Sequence, residues 1–321
     1  MRVIYMGTPD FAVSILEAII EKGHNVIAVV TQADKPKGRG KEIQYTPVKE
    51  AAIKHNIPVY QPLRIKNNSE IEEELRSLNP DIIIVAAYGQ ILPKSILEMA
   101  KYGCINVHAS LLPKYRGAAP IQWSIIEGEK VTGVTTMMMD EGLDTGDMLD
   151  VAEVKIEDSD TGGSLHDKLA MAGGKLITET MEKLEKGTAV RKKQDEGLST
   201  YAKMLSKSLG NIDFNKTATE IERLIRGLNP WPSAYTFLNG RMIKVWSGYV
   251  KTDLSNAKDY HNVNTGSIVE IGKDYIGVKT GDGILCITEL QPEGKKRMDA
   301  KAFLSGAGAQ KLYLEEFSKE R

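Results

Sequence analysis

The sequence predicts an α/β protein in which a mostly parallel, doubly wound sheet is followed by a small β-barrel. Short apolar runs alternate with amphipathic helical periods through the first half of the chain. The composition changes in a polar stretch after residue 188, and beyond it short strands are separated by glycine turns. At 321 residues the chain is long enough for two domains of ordinary size.

Five apolar segments of the first half have the character of strands buried on both faces. They are "RVIYMG", "NVIAVV", "DIIIVAAYG", "GCINVHAS" and "TGVTTMMMD". Such near-continuous apolar runs are typical of parallel strands that helices cover. The segments between and after them have the period of helices, so we predict helices over residues 11–22, 47–56, 70–79 and 163–187.

The second half begins with "VRKKQDEGLSTYAKMLSKS", which has little apolar periodicity and predicts a linker. A helix is expected from about Ala218. The strand-like segments "RMIKVWSGYV", "GSIVEIG" and "YIGVKTGDGILCITEL" follow, with glycine turns between them. We therefore expect a first domain over residues 1–188, a linker over 189–207 and a barrel domain over 208–321.

The charge balance excludes a chain that is basic throughout, because 42 Lys and Arg stand against 43 Asp and Glu. From Tyr201 onward there are 18 basic and 14 acidic residues, which suggests an anionic partner near the second half. Cys104 and Cys286 lie in apolar runs and indicate a reduced interior. With no signal peptide and no membrane-length apolar run, we expect a cytoplasmic protein.

The stretch "NVHASLLPKYRGAAPIQW" places Asn106 and His108 at the end of a predicted strand, where open parallel sheets bind ligands. With a period of two, both side chains point to the same face. A lone histidine there would more often be a hydrogen-bonded core residue. The neighbouring amide and the Pro/Gly-rich loop favour a functional pair, suited to a carbonyl whose oxygen becomes negative during attack.

The stretch "MMMDEGLDTGDML" crowds Asp140, Asp144 and Asp147 into a glycine-containing loop after a strand. Turn geometry alone accounts for Asp140 and Asp147. Asp144 could orient the imidazole of His108 or a water, provided that its loop lies beside that strand end. No His-x-x-x-His or cysteine-pair spacing accompanies these carboxylates, so we expect no metal site.

The first strand runs into the first helix through "MGTPDF". This turn has one glycine, lacks G-x-G-x-x-G, and loses an amide donor at Pro9, which disfavours a dinucleotide oxidoreductase. Its proline instead suits the first helical turn, with the loop exposed at the same sheet edge as His108.

The second strand is followed by a basic arm, "DKPKGRGKE". A solvated loop is the ordinary explanation of such a segment, but this one leaves the sheet at the edge where the active site is expected. A basic arm over a catalytic cleft fits a phosphate-bearing polymer substrate. A second basic cluster, "GKKRMDAK", lies in the barrel domain.

These motifs carry a resemblance. "NVHASLLPKYRGAAPIQW" with "DEGLDTGDML" closely resembles the 10-formyltetrahydrofolate-dependent formyltransferases. "GTPDFA", the "GRGK" arm, "NPWPSAY" and the barrel-like tail extend the resemblance over nearly the whole chain and narrow it to members that formylate methionyl initiator tRNA. It implies a Rossmann-like, folate-binding first domain and an OB-like, tRNA-binding second domain.

The same resemblance implies a monomeric enzyme of translation initiation that acts away from membranes, with folate and the tRNA acceptor stem as partners. The methionyl amino group is expected to attack the formyl carbon of 10-formyltetrahydrofolate, without a metal. Asn106 and His108 would stabilise the oxyanion, while Asp144 would orient His108 or position a proton-relaying water. The sequence leaves the acceptor of the amine proton open.

Two sets of binding residues are also implied by the resemblance. The folate pocket, formed largely by backbone groups, is expected at Ile84, Val85, Ala86, Ala87, Tyr88, Gly89, Gln90, Ile91, Leu92, Ser110, Leu111, Leu112, Pro113, Asp140, Glu141, Gly142 and Leu143. The tRNA contacts, with Arg39 inserted at the acceptor end, are expected at Lys35, Lys37, Arg39, Lys41, Lys295, Lys296 and Arg297.

Three other functions compete with this one. A sugar-nucleotide N-formyltransferase can share the sheet, the Asn–His–Asp trio and a barrel, but a small substrate needs no basic arm. A glycinamide-ribonucleotide formyltransferase is normally shorter and lacks the second domain. A non-catalytic RNA-binding module would leave the trio unexplained.

Overall fold

The computed structural model describes residues 1–37, 42–251, 262–307, 312 and 315–320. The chain divides into two compact units, each built from three separate stretches. The predicted domain limits of 1–188, 189–207 and 208–321 stay a prediction. The first unit consists of Met1–Pro120, Val131–Lys155 and His166–Ala202, and the second of Ile121–Lys130, Ile156–Leu165 and Lys203–Arg321.

The first unit contains all five strands that the apolar runs predict, together with shorter ones. Its strands are β1 (Arg2–Gly7), β2 (Asn25–Val30), β3 (Lys35–Lys37), β4 (Glu42–Gln44), β5 (Val59–Tyr60), β6 (Ile82–Ala86), β7 (Cys104–His108), β8 (Arg116–Gly117), β9 (Val131–Met138), β10 (Met148–Lys155) and β11 (Tyr201–Ala202).

Seven of these strands form one sheet in the order β10-β9-β7-β6-β1-β2-β5. The run from β7 to β5 is parallel, whereas β9 and β10 are antiparallel at one edge. The predicted mostly parallel, Rossmann-like sheet is therefore confirmed. Two small pairs stand beside it: β3 with β4 is antiparallel, and β8 with β11 is parallel.

Two helices of the first unit begin at a capping side chain. Thr46 caps one helix by accepting from the amide of Lys49, with a proline in its first turn, and Asn68 caps the next through the amide of Ile71. The four predicted helices are present, with slightly different ends. Up to residue 185 the helices are α1 (Asp10–Glu21), α2 (Pro47–Lys54), α3 (Ser69–Ser77), α4 (Lys94–Leu97), α5 (Pro120–Ile126) and α6 (Gly162–Glu185).

The second unit is built on a sheet whose pairings are all antiparallel. Helix α7 is held at its start by a capping box between Thr217 and Glu220. From residue 218 onward the elements of this unit are α7 (Ala218–Gly227), β12 (Ala234–Leu238), β13 (Arg241–Lys251), β14 (Ile268–Ile271), β15 (Ile276–Lys279), β16 (Ile284–Pro292), β17 (Met298–Asp299), α8 (Ala300–Ala307) and β18 (Phe317–Ser318).

This sheet has the order β14-β15-β16-β13-β12-β18, with β17 beside β16. Its two outer strands meet, because the amide of Ile268 donates to the Glu315 carbonyl and the amide of Phe317 to the Gly266 carbonyl, both at 2.9 Å. These bonds close the sheet on itself, as a small barrel requires. The predicted OB-like barrel is confirmed.

Among the helices of the described residues, none is long and apolar enough to cross a membrane.

Candidate active site

Strand β7 carries the two polar residues that the sequence singled out. Asn106 is 8% exposed and His108 is 6% exposed. The strand lies between β6 and β9, with Val85 opposite Asn106 on one side and Met137 opposite it on the other. All five residues of β7 are buried, so the two polar side chains need partners close to the strand.

Asp144 lies close to both side chains and bonds one of them. The Asn106 Nδ2 donates to Asp144 Oδ1 at 3.4 Å, and His108 Nδ1 lies 3.7 Å from Asp144 Oδ2. The backbone amide of Gly117 donates to the same Oδ2 at 2.8 Å. The role considered for Asp144 required its loop to lie beside His108, and the loop does lie there. The 3.7 Å separation is too long for a hydrogen bond.

The imidazole of His108 is held by the loop that follows β7. Its Nε2 lies 2.9 Å from the carbonyl oxygen of Tyr115. A carbonyl only accepts, so Nε2 carries a hydrogen and donates it. Nδ1 is therefore the ring nitrogen that faces Asp144. The ring orientation follows from this backbone contact at least as much as from the carboxylate.

The loop from Ser110 to Gly117 is anchored on the neighbouring strand. Ser110 Oγ donates to the Lys114 carbonyl at 2.6 Å, and Thr135 Oγ1 on β9 donates to the Ser110 carbonyl at 2.7 Å. The amide of Leu112 donates to Thr135 Oγ1 at 3.1 Å. These bonds fix the path of the backbone that presents Tyr115 to His108.

Three residues that sequence reasoning missed also reach this site. Gln194 Nε2 donates to the carbonyls of Asp144 and Gly146, each at 2.8 Å. Its Oε1 accepts from the guanidinium of buried Arg116, which also binds the Glu196 carboxylate in a bidentate pair. Hydrogen bonding to Glu196 raises the pKa of Arg116 above its ordinary value, so the guanidinium stays charged.

Gln194 and Glu196 lie in a segment whose weak periodicity predicted a linker, whereas Arg116 lies in the loop that follows β7. Part of that segment packs on the first unit. Tyr201 of β11 pairs with Arg116 of β8, and Thr200 Oγ1 accepts from the amide of Tyr115 at 2.8 Å. The sequence did contain a signal. Gln194 and Glu196 lie in a run of polar side chains that can form hydrogen bonds, and few apolar residues accompany them.

The first expected folate segment leaves the sheet beside β7. After β6 the chain turns through Ala87, at a φ of +47°, and Gly89, at +82°. The Tyr88 carbonyl accepts from Thr8 Oγ1 and from Gln32 Nε2, each at 3.1 Å. Ile91 is 73% exposed, which leaves an apolar side chain free at this edge.

The other two expected folate segments border Asp144 and His108 directly. Residues 110–113 form the start of the anchored loop, and residues 140–143 precede Asp144. Asp140 Oδ1 accepts from the Gly142 amide at 3.0 Å and from Thr145 Oγ1 at 2.7 Å, so this carboxylate shapes the turn. Leu143 is 55% exposed. The role of all three segments in folate binding stays a prediction.

The turn "MGTPDF" ends β1 and begins α1. Gly7 allows a close approach, since a Cβ there would stand 2.7 Å from the Cβ of Ala12 and 3.0 Å from the Ala86 carbonyl. Pro9 is the residue that precedes the first helical position. The turn therefore lets α1 pack against the strands, and it places Thr8 within hydrogen-bonding distance of the Tyr88 carbonyl.

The basic arm is a hairpin of β3 and β4, with Lys35 paired to Gln44 and Lys37 to Glu42. The expected tRNA contacts Arg39 and Lys41 lie outside the described residues.

A polar network holds the base of this hairpin. Asp34 forms an ion pair with Lys49, and Gln61 Nε2 donates to Asp34 Oδ1 at 2.8 Å and to the Gln32 carbonyl at 2.9 Å. Partial burial opposes ionisation, but the hydrogen bonds from Lys49 and Gln61 prevail and hold the pKa of Asp34 below its ordinary value.

The second basic cluster precedes β17 in the barrel unit. Lys295, Lys296 and Arg297 are all exposed. Arg297 forms a bidentate ion pair with Glu289 and lies 4.8 Å over the ring of Trp246. The charge of Arg297 is therefore partly neutralised by Glu289.

No group of three or more His, Cys, Asp or Glu side chains in the described part of the chain is arranged to hold a metal ion.

An amide, an imidazole and a carboxylate thus meet on a mostly parallel sheet, in a chain that ends in an antiparallel barrel. The chain matches the formyl transferase family over residues 1–181 and the formyl transferase C-terminal domain over residues 204–308. It belongs to the formyltransferase family.

Relatives within this family are similar over almost their whole length. The methionyl-tRNA formyltransferase of Agathobacter rectalis is 60% identical over 306 residues, which cover 95% of this chain and 96% of the relative. That of Lachnospira eligens is 56% identical with the same coverage. The N-formyltransferase of Helicobacter canadensis, solved with folinic acid and dTDP-3-aminofucose, shares the fold. It is 21% identical, with a TM-score of 0.67 over 93% of this chain and 100% of that one.

Proposed function

We propose that this chain transfers the formyl group of 10-formyltetrahydrofolate to the α-amino group of methionyl initiator tRNA, for translation initiation. The observation that carries the proposal is the meeting of Asn106, His108 and Asp144 in a chain 60% identical to a methionyl-tRNA formyltransferase. An amide donor, an imidazole and a carboxylate on one face suit acyl transfer through an oxyanion.

The reaction begins when the amine nitrogen attacks the formyl carbon, so that a C–N bond forms and the formyl oxygen becomes negative. Asn106 Nδ2 donates to this oxygen. The other donor is His108 in its imidazolium form, because Nε2–H is used by Tyr115 and only Nδ1–H is left for the substrate. Both donors are buried, which strengthens their interaction with the developing charge.

The attacking nitrogen must then lose a proton before the bond to the folate nitrogen breaks. Asp144 is the anionic member of the trio and lies within reach of both donors. In this proposal it stabilises the imidazolium, takes the amine proton and returns it to the folate nitrogen, which leaves as a neutral amine when the C=O bond of the formyl group re-forms. The Gly117 amide donates to one carboxylate oxygen at 2.8 Å, which fixes the position of the carboxylate.

We propose that the folate lies along residues 84–92, 110–113 and 140–143. Polar groups of the backbone turn at Ala87 and Gly89 can bind the edge of a pterin, while Ile91 and Leu143 offer apolar contact. Support comes from the folinic acid bound in the Helicobacter canadensis enzyme of the same fold.

We propose that tRNA binds the hairpin arm, through Lys35, Lys37, Arg39 and Lys41, with the acceptor stem nearest to Arg39. In the barrel, Lys295 and Lys296 are the stronger candidates for phosphate contacts, since Arg297 is paired with Glu289. We further propose that the protein acts as a monomer in the cytoplasm, where its tRNA substrate is charged.

Formyl transfer to charged initiator tRNA, measured with 10-formyltetrahydrofolate as donor, tests the proposal. Charged elongator methionine tRNA and a dTDP-amino sugar serve as the two controls. Transfer to the initiator tRNA in clear preference to both is the expected result. Preference for the amino sugar would instead identify the chain as a sugar-nucleotide N-formyltransferase. This alternative function is considered because the Helicobacter canadensis enzyme of the same fold binds dTDP-3-aminofucose.

A further inference from the structure

Gln194 uses its whole hydrogen-bonding capacity between Arg116 and the loop that carries Asp144. The two Nε2 hydrogens go to the carbonyls of Asp144 and Gly146, each at 2.8 Å. The Oε1 accepts from Arg116 Nε at 3.0 Å and Nη2 at 2.8 Å. Reversing the amide would set an oxygen against two carbonyls and an NH₂ group against a guanidinium, so only this orientation is compatible with the partners.

The loop that Gln194 binds has an unusual backbone. Asp144 has a φ of +55°, in the left-handed region that side chains other than glycine rarely adopt. Residues in such conformations persist where the surroundings over-determine them, and they concentrate at functional sites. Gln194 bonds the carbonyls on both sides of Thr145, and the Gly117 amide bonds the Asp144 carboxylate.

Arg116 in turn is fixed from two directions. Its guanidinium is buried and spans the Gln194 oxygen and the Glu196 carboxylate. Its backbone lies between Tyr115, whose carbonyl accepts from His108, and Gly117, whose amide donates to Asp144. One residue therefore connects the backbone that holds His108 with the side chain that holds Asp144.

We propose that Gln194, held by Arg116, is a positioning residue for Asp144. It keeps the loop backbone in its left-handed conformation, so that the carboxylate faces Asn106 and His108. Gln194 does not touch the reacting atoms and acts only through Asp144.

Gln194→Glu is the informative variant, because a carboxylate keeps the partners of Arg116 but has no hydrogen for the Asp144 and Gly146 carbonyls. We expect the amide of Gly117, which donates to Asp144, to exchange its hydrogen about tenfold faster in this variant. The amide of Ala118 donates to the Ala202 carbonyl at 2.9 Å and should keep its rate. Unchanged exchange at Gly117, or equal acceleration at both amides, would overturn the inference.

The kinetic test rests on the proposed function. Gln194→Glu should lower kcat about 10–100-fold, the range typical of hydrogen-bond partners that orient the ligands of a catalytic metal, with KM for both substrates unchanged. In an Asp144→Asn background the same change should have almost no further effect, because its only route is through that carboxylate. Additive losses, or a rise in KM alone, would refute positioning.

The two hypotheses fail in different ways. A parent protein that formylates no initiator tRNA refutes the proposed function, and the exchange rates at Gly117 and Ala118 still decide the role of Gln194. An active parent with a fully active Gln194→Glu variant refutes only the role of Gln194.

Discussion

Asn106→Ala is the most direct test of the proposed chemistry. The Asn106 side chain is buried, and its Nδ2 makes a contact of 3.4 Å with Asp144 Oδ1. The carboxylate keeps its 2.8 Å bond from the Gly117 amide, and the Asp144 carbonyl keeps its bond from Gln194. The substitution therefore removes one donor and leaves the other members of the site in place.

The expected loss follows from the role of that donor. Removing one oxyanion donor typically lowers kcat about 10²–10³-fold, on the order of 2.7–4 kcal/mol. Asn106→Asp conserves size but sets a second carboxylate against Asp144, and two such charges repel by about 4 kcal/mol at an effective dielectric constant of 20. Its kcat should fall at least as far as that of the alanine variant.

The assay is steady-state formyl transfer to charged initiator tRNA, with folate binding measured separately by calorimetry. Thr178→Ala is the matched control, because this buried hydroxyl bonds its own helix, at 2.8 Å to the Lys175 carbonyl. Folate affinity should persist in Asn106→Ala, and the control should retain the parent kcat. Near-parent turnover in Asn106→Ala would remove this side chain from the mechanism.

Three further outcomes are expected. Charged initiator tRNA should protect the arm at Arg39 from trypsin, whereas folate alone should not, and equal cleavage with and without tRNA would exclude the arm as a contact. Arg39→Lys should slow formyl transfer, because lysine lacks the planar guanidinium of arginine. The logarithm of the tRNA binding constant should depend less steeply on the logarithm of the salt concentration when Lys295 and Lys296 are neutralised, by about 0.7–0.9 in slope for each phosphate that the variant no longer binds. Neutralising Arg297 should reduce the slope less, and equal reductions would contradict its ion pair with Glu289. Asp34 has a depressed folded-state pKa, so its stabilisation is present above the unfolded pKa of about 3.9 and is lost as pH falls from there through the lower folded-state pKa. Asp34→Asn should thus lower the unfolding temperature at pH 7 but leave it unchanged near pH 2, and an equal effect at both would refute the linkage.

The sequence predicted those parts of the fold that local patterns determine. The apolar runs of β1, β2, β6, β7 and β9 are buried on both faces, so composition alone identified them. Strand β10 was missed because "MLDVAEVK" lacks a regular alternation of apolar and polar residues, and the aspartates and glycines before it indicate a turn. Helices α2 and α3 were predicted from their periodicity, and they begin within a residue of the predicted starts, directly after the capping residues Thr46 and Asn68.

The site was predictable only in part, for a physical reason. Asn106 and His108 lie two apart on one strand, so their common face followed from strand geometry. The contact of Gln194 with Asp144 joins residues 50 positions apart, and that of Arg116 with Gln194 joins residues 78 apart. No local period encodes such contacts. The Tyr115 carbonyl was equally hidden, because a backbone acceptor has no signature in the sequence.

The composite make-up of the second unit has a consequence for synthesis. Helix α5 lies against α7, since a Cβ at Gly227 would stand 2.6 Å from Ile126 Cγ1. Roughly 100 residues separate the two on the growing chain, which takes on the order of 5–20 s to translate. Throughout that interval Ile126 has emerged without its helical partner. Barrel closure waits longer still, for the strand of Phe317, which follows α7 by roughly 90 further residues of translation. The newly made chain thus carries unpaired apolar surface until the strand of Phe317 has emerged.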